Sequence, residues 1–168
     1  MSLDNLKKYA EFDKITEGKK VNIELPSDFL NFVNAVGSDS LILDWSAENI
    51  TLYGIYDIYN MQDVYSNDLS LYVLGDIIAN PIFYSSTTDY KVKIAKHGVG
   101  KIELEPLAKN FEEFIAILDC YVQLFYITYN KKILNDDYEV LNGFKDNLIE
   151  ELLNITDENC INTFIKFL

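Results

Sequence analysis

Arginine is absent from this chain. Every basic residue other than the single histidine, His97, is one of 14 lysines, set against 27 aspartates and glutamates, and the formal net charge is −13. Arginine supplies the planar fork that reads phosphates and guanine edges. A chain this acidic is also repelled by nucleic-acid backbones and by anionic lipid headgroups. Composition therefore argues against a nucleic-acid or membrane partner and in favour of a basic protein one. The plainer reading is that the charge only keeps the protein in solution.

Cysteine is scarce as well. Cys120 and Cys160 stand apart among apolar residues, with no C-x-x-C spacing, and read as buried free thiols rather than a metal or redox pair. No apolar run approaches the roughly 18 to 20 residues of a membrane span. The opening stretch MSLDNLKKYAEFDK has no apolar signal-peptide centre, so a cytoplasmic location is expected. There, the acceptor patterns Asn49-Ile50-Thr51 and Asn154-Ile155-Thr156 have no glycosylation role.

Motifs that carry chemistry are missing too. HGVGK is too short for a phosphate-cradling glycine loop. Asp136-Asp137 and Asp63…Asp68 do not follow a calcium-loop pattern. His97 has no neighbouring serine or cysteine nucleophile and no H-E-x-x-H spacing, and reads as a strand-end residue rather than a general base. No catalytic residue, metal or cofactor is expected.

What is present is enough apolar mass for one domain over residues 1–168: 49% of the chain is hydrophobic and 14% aromatic. Leu3, Leu6 and Tyr9/Ala10 fall at helical spacing. VNIEL (21–25) reads as a short extended run. LPSDFLNFVNAVG reads as a helix, opened by Pro26 or Ser27 and closed by Gly37, with Phe29, Leu30, Phe32, Val33 and Val36 as its apolar stripe. SLILDW, NITLYGI, LSLYVLGD (broken at Gly75), PIFYSS, YKVKIAK and VGKIELE read as strands joined by short polar breaks, which favours antiparallel pairing. YDIYNMQDVYSND suits either a short helix or a loop.

The period then changes. Leu107, Phe111, Phe114, Ile115, Leu118, Val122 and Phe125 step by threes and fours, with Asn110 and Glu113 spaced as a capping box. Further helices are expected over about 138–153 and 157–167, the second beginning at Asp157. The fold class is thus α+β, a mostly antiparallel central sheet flanked by N-terminal helices and a C-terminal helical region. Residues 131–137 are the best place for a boundary before a C-terminal helical extension over about 131–168.

Three stretches in this order resemble the SUKH superfamily, which includes the yeast Smi/Knr cell-wall regulators and many bacterial immunity proteins. LPSDFLNFVNAVG is similar to the family's first helix. YVLGDIIANPIFYSSTTDYKVKIAKHG is similar to its central strands, and IELEPLAKNFEEFIAIL to its closing helix. Together they span a core of about residues 20–128. The chain departs from the family pattern in ending its first helix on Ala35-Val36-Gly37 rather than Asn-Gly. The resemblance implies a non-enzymatic protein that blocks a cognate toxin by direct binding. Toxins that act on nucleic acids need basic surfaces, and an acidic inhibitor complements them.

The residues best suited to such a contact are Trp45, Tyr56, Asp57, Tyr59, Asp63, Tyr65 and Asp68, with Tyr53 beside them. Tyrosine and tryptophan make large contacts at low entropic cost, and the interleaved acids suit lysine or arginine on a partner. The competing reading makes the aromatics part of the sheet's core. Two other functions remain open on sequence grounds: a regulatory protein-interaction module, and a small-ligand pocket or hydrolase near His97.

Overall fold

The computed structural model of the protein describes residues 2–13, 25–45, 48–65, 70–98 and 102–168. Among these, seven strands form one antiparallel sheet whose spatial order is the order of the chain: β1 (Glu11–Asp13), β2 (Ser40–Trp45), β3 (Glu48–Leu52), β4 (Tyr72–Ile77), β5 (Asn80–Tyr84), β6 (Val92–Ala95) and β7 (Leu104–Ala108). The helices are α1 (Asp4–Tyr9), α2 (Ser27–Val36), α3 (Ile55–Tyr65), α4 (Phe111–Val122), α5 (Asn142–Leu152) and α6 (Glu158–Lys166), and α4 runs on into a π-helical segment, Gln123–Thr128. The protein is α+β, as the block of strands between helical segments implies.

The sheet is buried on both faces at its centre. Val73, Leu74 and Gly75 of β4 are buried in succession, as are Pro81 to Tyr84 of β5. That is the pattern of a strand covered on two sides rather than one. Rings from three elements meet over β5. Phe29 of α2 stacks on Tyr84 at 5.3 Å, Phe32 on Phe111 at 4.7 Å, and Tyr84 on Phe111 at 4.9 Å between centroids. Phe144 and Leu148 of α5 and Phe164 of α6 belong to the same apolar core, and α6 lies against β7.

Helix α2 has the expected span. Gly37 follows it at φ 110° and its N–H donates to the Val33 carbonyl. Phe29, Phe32, Val33 and Val36 are buried, but Leu30 is 43% exposed, because one residue beyond Phe29 the helix has turned off the stripe. At the start of α2, Asp28 accepts from the Tyr84 hydroxyl at 2.5 Å and from Lys91 Nζ at 3.1 Å. Burial alone would raise the Asp28 carboxyl. The Tyr84 and Lys91 hydrogen bonds, with the lysine charge, outweigh it and hold the group below the usual carboxylate range.

Several boundaries differ from the sequence reading. The strand expected over 49–55 ends at Leu52, where Gly54 donates to Ser40 Oγ at 2.8 Å and opens α3. The ambiguous stretch after it is helical to Tyr65. Gly75 does not break β4. The strand passes through it with a register shift after Val73, and a Cβ there would lie 2.0 Å from the Thr51 carbonyl oxygen. Glycine is needed for close approach to β3, not for a stop.

The strand expected over 99–105 is β7, shifted to Leu104–Ala108, so Leu107 is a strand residue and not the first step of α4. Pro106 is tolerated in it because β7 is the last strand of the sheet. Asn110 caps α4, accepting from the Glu113 N–H at 2.8 Å, but the Glu113 carboxylate accepts from Thr156 Oγ1 instead of closing a box. α5 starts at Asn142, since Val140 is drawn into an isolated bridge with Leu134. Residues 21–24 of the expected run VNIEL and residues 99–101 lie outside the described residues.

Candidate interaction surface

The proposed contact residues fall mainly on α3. Asp57 sits in its first turn and accepts from Ser40 Oγ, which itself accepts from the Gly54 N–H. Asp57 thus ties the helix start to β2 and favours the positive end of the helix dipole. Gln62 is buried and bridges to β4, its Nε2 donating to the Leu71 carbonyl at 2.6 Å and its Oε1 accepting from the Val73 N–H at 3.0 Å. These two side chains lock α3 on the sheet.

Positions 56, 59 and 63 follow one another by three and four residues and so share a helix face. Tyr56 and Tyr59 are half-buried there. Tyr65 is off that face, packed against the core and edge-on to the His97 ring at 6.3 Å between centroids. Trp45 ends β2. The side chains of Trp45 and Asp63 lie outside the described set, as does all of Asp68. Tyr53 is core: it is buried and donates to Asp76 Oδ2 at 2.8 Å. Burial first, then the Asp76 charge, push its hydroxyl well above the ordinary tyrosine value.

His97 is exposed, one residue before Gly98, which turns at φ 78°. Its N–H donates to Asn80 Oδ1 at 3.0 Å. The shallow groove beside it, about 220 Å³, is walled by Tyr65, Pro81, Lys96, His97 and Ile102 among others, with no carboxylate or nucleophile in its described lining. Cys120 is half-buried and Cys160 buried; both thiols are free and burial pushes each up to about 11.

The structure adds a feature where the sequence reading placed a boundary at 131–137 and the start of a helix at about 138. The Leu134–Val140 bridge closes a loop of Asn135, Asp136, Asp137, Tyr138 and Glu139. Asn135 organises it. Its carbonyl accepts from the Tyr138 N–H at 3.1 Å, and its Oδ1 accepts from the N–H groups of Asp137 and Glu139, each at 2.9 Å. Tyr138 is held at φ 63° and is 85% exposed. Left-handed backbone is uncommon for an aromatic residue and persists only where the surroundings over-determine it. The available signal was a bulky aromatic directly after two acids in an otherwise polar break.

No family model, curated protein or solved structure matches the chain. The functional reading therefore rests on this surface and its charge. Among the described residues, four lysines are tied to acids of the same chain: Lys91 to Asp28, Lys109 to Asp157, Lys131 to Asp44 and Lys166 to Glu105. The Asp136, Asp137 and Glu139 side chains are exposed around Tyr138, and no ion pair engages them among the described residues.

Proposed function

We propose that this chain is a non-catalytic, antitoxin-like immunity protein that acts in the cytoplasm. It neutralises a cognate toxin by binding it directly, setting an acidic, tyrosine-bearing surface against a basic one. The observation that carries this reading is the loop around Tyr138: a large, exposed aromatic in a pre-set backbone conformation, flanked by three carboxylates. A rigid aromatic anchor costs little entropy to dock, and the surrounding acids steer a basic partner and raise its association rate. The resemblance to SUKH proteins and the charge of −13 support the same class of function.

The test is co-purification with the protein encoded next to this one, followed by binding measurements. The expected result is a stable equimolar complex whose association slows as salt is raised. Tyr138→Gly separates binding from folding. Glycine relieves the left-handed backbone, so thermal stability should hold or rise, while affinity falls tenfold or more, about 1.4 kcal/mol. Absence of a complex with any neighbouring toxin, or full affinity in Tyr138→Gly, would overturn the proposal. A tight partner that is not a toxin would instead favour the regulatory interaction module.

A further inference from the structure

The groove beside His97 is opposite in character to the acidic surface around it. Val64 and Tyr65 reach it from the end of α3, Pro81 from β5, and Lys96 and His97 from just beyond β6. Lys96 and His97 are exposed, and no ion pair engages either among the described residues. In a chain with 27 aspartates and glutamates, the groove's described lining holds none.

Its apolar walls are also left in solvent. Val64 is 68% exposed and Ile102 is 46% exposed. Apolar surface of this kind, rimmed by polar groups, marks an interaction site. At about 220 Å³ the groove is smaller than the roughly 300 Å³ at which pockets for small organic ligands begin, and it suits a single side chain. The Tyr65 and His97 rings, edge-on at 6.3 Å, leave a corner in which a third ring can pack. Lys96 on the rim attracts aromatic faces and carboxylates alike.

The chain carries the complement of this groove elsewhere on its surface. Tyr138 is the most exposed large side chain of the described core-type residues, and three acids surround it. It lies outside the groove's described lining. We propose that the groove takes the Tyr138 loop of a second copy of this chain, with the ring in the corner between Tyr65 and His97 and the flanking acids against Lys96 and His97. The contact is heterologous: each copy offers its loop to one neighbour and its groove to another. One loop in one groove is a small interface, so the association is weak and reversible. Repulsion between two bodies of net charge −13 opposes it at low salt. At 0.15 M the screening length falls to about 8 Å, which removes most of that repulsion and weakens pairs in contact much less. The contact stands whether or not the same loop binds a toxin.

The full chain alone is followed by sedimentation velocity from about 10 μM to about 1 mM, the range in which so small a contact becomes populated. In about 0.15 M sodium chloride the sedimentation coefficient should climb with protein concentration, and in about 10 mM it should climb less. Tyr138→Gly removes the ring from the loop, and Lys96→Glu reverses the charge on the groove. Each variant alone should stay monomeric. Mixed in equal amounts they should associate again, as dimers only, because the first retains the groove and the second retains the loop. Val64→Glu, at an exposed position, replaces Lys96→Glu if that variant folds poorly. Wild type that stays monomeric at the highest concentration, variants that associate as wild type does, or a mixture no more associated than its components would overturn the proposal.

Discussion

Asp44 is gripped through all of its polar groups. Its N–H donates to the Tyr126 hydroxyl at 2.9 Å, its carbonyl accepts from the Tyr121 hydroxyl at 2.7 Å, and its carboxylate accepts from Lys131 Nζ. β1 pairs with β2 only as far as Ile42, so two tyrosine hydroxyls do for Asp44 what a neighbouring strand does for the residues before it. Tyr121→Phe removes a donor from a buried ring and should cost about 1 kcal/mol in denaturant unfolding. Asp157 is a second such node. It caps α6, accepting from the Asn159 and Cys160 N–H groups, and it also meets the Tyr90 hydroxyl at 2.9 Å and Lys109 Nζ at 3.0 Å. Lys109 above all, then the Cys160 N–H and Tyr90, pull its carboxyl down to about 2 against the opposing effect of burial. A lowered folded-state value means that the ionised form is the one that stabilises. That contribution is whole above about pH 4 and is lost as the pH falls toward 2. Asp157→Ala should therefore cost about 1 kcal/mol at neutral pH, and urea unfolding should show the gap from wild type closing near pH 2.

At the scale of elements, the β4–β5 hairpin turns on two residues, Ile78 at φ 53° and Ala79 at φ 60°. Both central angles are positive, as a type I′ turn requires, yet neither residue is glycine or asparagine. The flanking side chains hold it: Asp76 Oδ1 accepts from the Ala79 N–H at 3.2 Å, and Asn80 Nδ2 donates to the Ile77 and Ile78 carbonyls at 3.0 and 3.2 Å. Ala79 is exposed, so Ala79→Gly gives up no packing. It should raise stability by about 0.5–1 kcal/mol, the left-handed strain outweighing glycine's extra chain entropy, as a shift in the thermal midpoint would show. This hairpin also marks the limit of what the sequence discloses. PIFYS and YKVKIAK declare themselves as strands through their β-branched and aromatic content, and Asn110 and Asp157 declare their helices by capping. β1 does not, because three exposed residues paired at a sheet edge carry no burial pattern to detect. β7 is misplaced because Pro106 looks like a breaker unless the strand is known to be an edge. Of the candidate surface, the tyrosines and acids of α3 stood out by residue type, but their stretch suited either a helix or a loop, so the face shared by positions 56, 59 and 63 was not legible. Asp57 was readable only as an acid, since its bond to Ser40 joins residues 17 apart. The Tyr138 loop was hidden because its shape comes from one asparagine side chain rather than from any periodic pattern.

For the whole molecule, repulsion among the excess acids opposes the lysine pairs, four of them among the described residues. Exposed pairs of this kind contribute little, so the net charge of −13 should dominate the response to salt. Raising sodium chloride from about 10 mM to about 300 mM shortens the screening length well below the size of the protein and should raise the unfolding temperature. A fall would show that the local pairs outweigh the overall charge. The simple strand order has a consequence in time. Each strand pairs with the one made just before it, so the sheet can be laid down in the sequence in which a ribosome releases it. The grip on Asp44 cannot, because its partners lie 77 to 87 residues further along. A nascent chain halted before Tyr121 would carry the strands of the sheet with the edge of β2 beyond Ile42 still open, and closing it waits for the segment that brings Tyr121, Tyr126 and Lys131.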